Sequence, residues 1–318
     1  MTHLLDATTP PHLPDLVLAG RDDDAVRRGV ARGALVAVAP GSYVPEPAWT
    51  ALRPGARHAL RVHAVTRRLR SDVVVAHESA LALHGLPVIG PWPEQVHVVD
   101  RTRRTTLSSR TLVRHAGALA AGEVTLVDGL LTTTPARAIV DVARRRTLRS
   151  GVVTLDAALA EGLVTRPALQ AELTAQAGFP GIRRASRAVA LADPGGTSVG
   201  ESLSRVGLHE PGLPRPVLQH EFHDGDGFVG RVDFWWPCCG VVGEFDGATK
   251  YLDREPRRGR PPEQVVLDEK RREDRLRALP PVRTVARWDW ADAWQVVPMV
   301  RRLLRAGLAR CSHARPWW

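Results

Sequence analysis

The 318-residue chain is long enough to bury a sizeable core, and its length predicts two or three domains. Its net charge of +10 and pI of about 10.8 favour an anionic partner over an acidic-surface role. No apolar run approaches the length of a membrane span. The first residues lack the basic-then-apolar plan of a signal peptide, and three cysteines, two adjacent, give neither a disulfide framework nor a zinc spacing. These features predict a soluble, cytoplasmic protein with no membrane partner.

In chain order, residues 13–20 and 22–33 read as two short helices, the second beginning on an Asp cluster suited to a helix N-terminus. Residues 35–39 and 42–44 read as strands around a Pro40-Gly41 turn. Two helices followed by a small hairpin form a winged-helix pattern over residues 1–55. Arg27, Arg28 and Arg32 lie on the second helix, where they can contact DNA phosphates or base edges. A small packing domain with a solvated basic face is the plainer alternative. The run RRGVARGALVAVAPGSYV, with Gly33, Ala34, Leu35 and then Gly41, Ser42, Tyr43, resembles the N-terminal domain of AbiEi-type antitoxins. That resemblance implies DNA binding and, as a further partner, a cognate toxin or another protein.

Residues 56–195 read as a mixed α/β middle domain. Helices are expected over 57–70 and 76–84, then strands over 95–100, 111–115 and 123–131. Thr134 and Pro135 supply an N-cap and a first helical residue, and helices follow to about 145, over 151–161, 166–175 and 181–192. His77, Glu78 and His84 suggest a metal cluster, but no third ligand with matching spacing follows, so a polar-decorated helix is preferred. The stretches HESALALHGL and TTTPARAIVDVARR resemble the region that follows the winged helix in the same antitoxin-like proteins.

Asp193-Pro194-Gly195-Gly196 signals a linker, and a C-terminal domain is expected over 196–318. Thr197 or Ser198 caps a helix to about His209, with Glu201 in its first turn. A strand over 216–222 and the HDGDG turn lead into two further strands, 231–236 and 241–245. A turn centred between Cys238 and Cys239 sets Asp233 opposite Glu244, with Asp246 on the same face. Directly opposed carboxylates repel. A divalent cation, Mg²⁺ or Mn²⁺, held by Asp233, Glu244 and Asp246 turns that repulsion into coordination; a solvated acidic strand end is the alternative. Lys250 follows and can neutralise charge on a phosphoryl group. The loop after Tyr251 carries Arg257 and Arg258, which can hold a DNA backbone. A charged helix over 263–279, a strand over 281–287 and a closing helix complete the domain, with Trp288, Trp290 and Trp294 packing that helix.

The segment GRVDFWWPCCGVVGEFDGATKY resembles the core of the PD-(D/E)XK nuclease superfamily, in the branch similar to very-short-patch repair endonucleases. The resemblance covers the last third of the chain and implies a restriction-endonuclease-like αβββαβ fold. It assigns catalytic roles to Glu201, Asp233, Glu244 and Lys250. It departs from the family pattern at Asp246, which stands where the family's lysine is expected. The whole chain is therefore read as an α+β, multidomain, DNA-binding protein carrying a metal-dependent endonuclease domain. The alternative is an antitoxin-like transcriptional regulator whose nuclease fold does not cleave.

Overall fold

The structure is a computed structural model that describes residues 13–18, 23–69, 73–247, 262–308 and 317. It is a mixed α+β protein with three separate sheets among the described residues. Residues 3–189 form one compact unit and residues 190–318 another.

In the first unit, β1 (Val17–Leu18), α1 (Asp24–Ala31), β2 (Leu35–Ala39) and β3 (Ser42–Pro45) come first. Their sheet has the order β1-β3-β2. Asp23 caps α1 by accepting from the N–H groups of Ala25 and Val26. The helix expected over 13–20 is not formed in its described part, residues 13–18: Val17 and Leu18 pair with Tyr43 and Ser42 instead. An isolated helix of about two turns is marginal, while the open edge of β3 offers ladder bonds at once. Helices α2 (Glu46–Ala51) and α3 (Pro54–Thr66) follow, and α3 packs on both β2 and α4 (His77–Leu83).

The second sheet has six strands in the order β6-β7-β5-β4-β9-β8. They are β4 (Val74–Val75), β5 (Val96–Asp100), β6 (Leu107–Ser108), β7 (Leu112–Ala116), β8 (Val124–Val127) and β9 (Leu130–Thr133). The single strand expected over 123–131 is a hairpin, turned at Asp128 (φ 47°) and Gly129 (φ 78°). An Asp-Gly pair with both residues left-handed gives the turn whose twist matches antiparallel strands. Four helices close the unit: α5 (Pro135–Ala143), α6 (Leu148–Ala160), α7 (Arg166–Ala175) and α8 (Ile182–Leu191). The first three start on threonine caps, Thr134, Thr147 and Thr165.

The C-terminal unit runs α9 (Val199–His209), β10 (Val217–Asp224), β11 (Gly227–Trp236), β12 (Val241–Phe245), α10 (Pro262–Ala278), β13 (Thr284–Trp288), α11 (Trp290–Gln295) and α12 (Val297–Arg305). Its sheet order is β10-β11-β12-β13, antiparallel across the first three strands, with β13 parallel to β12. Helix α9 is fixed to one face. Gly200 lies so close to Phe245 that a Cβ there would sit 2.1 Å from its ring. The Trp288 indole N–H donates to Ser204 Oγ at 2.8 Å. Phe222, Trp235, Val242, Leu276 and Val282 form a buried cluster that ties α10 to the sheet. The closing helix is broken at Val296 (φ 65°), ahead of Pro298, and Trp294 is exposed.

Candidate functional site

The β11–β12 register is Phe234↔Gly243, Trp235↔Val242 and Trp236↔Val241, the one that a turn centred between Cys238 and Cys239 requires. Continued by one residue, it brings Asp233 and Glu244 to the same rung. Their side chains nevertheless take different partners.

Glu244 is buried, with both oxygens on guanidinium groups. Arg272 of α10 donates to Oε1 at 2.9 Å, and Arg287 of β13 lies 2.8 Å from Oε2. Burial works against the charge of each arginine. For Arg272 the hydrogen bonds to Glu269 and the field of Glu244 outweigh it; for Arg287 the fields of Glu244 and Asp246 do so. Both arginines are held above their ordinary pKa. Asp246 is half-buried and shares Arg287 at 3.7 Å.

Asp233 turns to the other neighbours. Its Oδ2 accepts from the Phe245 N–H at 2.9 Å, and its Oδ1 from the Gln219 amide at 3.4 Å. The same Gln219 Nε2 donates to Glu201 Oε2 at 2.9 Å. Gln219 sits within β10 at φ 52°, a left-handed conformation uncommon for a residue other than glycine, while pairing continues on both sides of it. Glu201 also closes the cap of α9. Its carboxylate accepts from the Thr197 N–H at 3.1 Å, the Thr197 hydroxyl at 2.8 Å and the Ser198 hydroxyl at 2.8 Å.

The four acids thus sort into two pairs: Glu201 with Asp233 across an amide, and Glu244 with Asp246 across a guanidinium. Sequence spacing placed Asp233, Glu244 and Asp246 around one ion. Among the described residues no group of three His, Cys, Asp or Glu side chains is arranged to hold a metal. As arranged, the acids do not fit the expected Mg²⁺ shell, because each Glu244 oxygen already faces a fixed positive charge. Lys250, Arg257 and Arg258 lie outside the described residues.

In the first unit Arg27, Arg28 and Arg32 are all exposed, on α1 and at its C-terminal end. Arg27 also pairs with Asp24. The His77–Glu78–His84 grouping is not formed. His84 meets the Thr133 carbonyl at 2.8 Å, and Glu78 takes the Arg146 guanidinium at 2.8 Å. His77 instead packs on His115, ring centres 4.3 Å apart, and His97 Nδ1 lies 2.9 Å from His115 Nε2. Burial lowers the pKa of all three, that of His115 to about 4 with help from the field of His97.

A second feature escaped sequence reasoning. Arg101, Arg103 and Arg104, with residues 116–119, line a surface pocket of ≈ 460 Å³. Asp100 shapes it: its carboxylate accepts from Thr102, Arg103 and Arg114, and the Thr102 bonds lead in lowering its pKa to about 2. Among the described residues, Arg101 and Arg104 make no ion pair. The run Arg101-Thr102-Arg103-Arg104 was the available signal.

Residues 72–193 match the family model described as the AbiEi antitoxin C-terminal domain. Two Mycobacterium tuberculosis proteins, uncharacterized protein MT2308 (strain CDC 1551 / Oshkosh) and uncharacterized protein Rv2248 (strain ATCC 25618 / H37Rv), are each 36% identical over 120 residues. That stretch is 38% of this chain and 44% of each relative, so the chain spans less than half of the length of the curated relatives it matches. The crystal structure of RV2827C protein from Mycobacterium tuberculosis is 20% identical, with a TM-score of 0.33, over 54% of this chain and 66% of that one. No described helix is long and apolar enough to cross a membrane.

Proposed function

We propose that the chain is a DNA-binding regulator of the antitoxin kind, whose C-terminal αβββαβ module binds without cleaving. The match of residues 72–193 to the antitoxin family model carries this reading. Ahead of that region, α1 and the β2–β3 hairpin expose three arginines on and beside one helix, the footprint of a phosphate contact. The net charge of +10 acts in the same direction. DNA is the first partner in this reading, and a cognate toxin or another protein the second.

Fluorescence anisotropy of the full chain on duplex DNA, titrated with salt, tests it. Affinity falls steeply with ionic strength, and Arg27→Ala, Arg28→Ala and Arg32→Ala each lower the salt slope by about one where a phosphate contact is lost. Absence of binding at low salt, or an unchanged slope in the triple variant, removes the reading.

The order α9-β10-β11-β12-α10-β13, with β13 parallel to β12, favours a second reading as a metal-dependent endonuclease of the cytoplasm. It requires the arginines to release Glu244 and Lys250 to approach the acids. Cleavage of single- or double-stranded DNA with Mg²⁺ or Mn²⁺, stopped by EDTA and abolished by Asp233→Asn, would establish it over the first.

A further inference from the structure

The chain has three cysteines in 318 residues, and two of them, Cys238 and Cys239, occupy the turn between β11 and β12. The turn is well tied. The Cys239 N–H donates to the Trp236 carbonyl at 3.2 Å, and the Gly240 carbonyl accepts from the Arg283 N–H at 2.7 Å. Gly240 is left-handed (φ 64°), so the backbone that presents the two sulfurs is set by local geometry. Cys238 is exposed and Cys239 half-buried, and neither is in a disulfide.

Their Sγ atoms are 3.4 Å apart. A disulfide needs about 2.05 Å, and its Cα atoms are normally further apart than adjacent residues allow, so a direct bond here would be strained. Two sulfurs bound to one soft centre stand differently. With metal–sulfur bonds of about 2.3 Å, an angle of about 95° at the centre spans about 3.4 Å. Thiolates also select soft centres over hard ones.

We propose that Cys238 and Cys239 form a two-thiol chelating site for a soft, thiophilic centre of low coordination number, of which trivalent arsenic is the type. With phenylarsine oxide as the probe, each sulfur forms a bond to arsenic as both arsenic–oxygen bonds break. The oxygen leaves as water with the two thiol protons, and arsenic stays trivalent. Sulfur is neither oxidised nor reduced.

The reduced full-length chain is titrated with phenylarsine oxide in excess monothiol, desalted and weighed intact by mass spectrometry. One phenylarsenic group per chain is retained, and a dithiol such as dimercaptopropanol removes it. Retention falls at least tenfold in Cys238→Ser and in Cys239→Ser, and is unchanged in Cys311→Ser. The two serine variants melt within about 2 °C of wild type, because the turn is exposed, so their loss of retention reports the site and not the fold. Retention that survives loss of both adjacent cysteines overturns the proposal. So does wild-type protein that keeps no arsenic, or retention that requires Cys311.

Discussion

In residues 3–189, His77, His97 and His115 lie ring against ring, and among the described residues none faces a carboxylate at ion-pair distance. In residues 190–318, Glu244 is buried equally well, but with an arginine on each oxygen. Both clusters take ionisable groups out of water, which disfavours the charged form. The histidines respond by losing their protons. Glu244 instead has two opposite charges fixed beside it. The two units should therefore fail under different challenges.

Acid is the larger challenge, and it falls on the histidines. Their folded pKa values are depressed: burial takes His115 to about 4, and burial with the field of Arg61 takes His58 to about 3. The unfolded values are about 6.5. Between the two, the unfolded chain binds more protons, so stability rises with pH across that window. It is complete above about pH 6.5 and is lost as pH falls toward about 4, on the order of 3 kcal/mol for His115. Urea midpoints at pH 7.5, 5.5 and 4.5 should drop in that order, and His115→Gln should flatten the dependence. A midpoint unchanged from pH 7.5 to 4.5 would break the comparison.

The second challenge removes the central charge of the other cluster. Glu244→Gln removes the buried carboxylate between Arg272 and Arg287 and leaves them sharing Glu269, whose Oε1 lies 2.8 Å from Arg272 and 3.3 Å from Arg287. Loss of one partner from a buried ion pair costs about 3–5 kcal/mol. Arg287 keeps 31% of its side chain exposed, so the low end, about 3 kcal/mol, is expected. Chemical denaturation at pH 7.5 measures it. A loss below about 1 kcal/mol would mean that Glu269, Glu273 and solvent neutralise the arginines without Glu244.

What the sequence revealed follows the same division between near and far. The helix start at Thr134, the helix over 166–175 and the β11–β12 register depend on residues a few positions apart and were legible. The partition of the acids was not, because Arg272 and Arg287 arrive from α10 and β13, well down the chain from Glu244. The histidine cluster draws on α4, β5 and β7, and no single stretch announces it. The β8–β9 hairpin was legible in principle, since Asp128-Gly129 is a strong turn signal between apolar residues. Gly129→Ala should cost about 1 kcal/mol there, because alanine resists φ 78°. An unchanged melting temperature would show that the turn relaxes into another type.

The smallest effect concerns Gln219, where two terms oppose each other. Its left-handed backbone at φ 52° stores about 1 kcal/mol that Gln219→Gly would release. The same change removes an amide that donates to both Glu201 and Asp233. Hydrogen bonds to charged groups are worth about 1.5–3 kcal/mol each. Here the loss is smaller, because Glu201 retains three other donors and Asp233 retains the Phe245 N–H. The net change should be a destabilisation of no more than about 1 kcal/mol. Gln219→Asn changes both terms in the same direction, since asparagine tolerates the left-handed backbone but its shorter amide cannot reach both acids. It should therefore follow glycine in the unfolding experiment, with both variants destabilised if the bridge dominates and both stabilised if the backbone does. With the amide gone, two carboxylates face each other with less positive charge between them, and a cation can take its place. Millimolar Mn²⁺ should then raise the melting temperature of Gln219→Gly more than that of wild type. An equal rise in both proteins would show that the amide does not stand where a cation could bind, and would leave the Glu201–Asp233 pair with a purely structural role.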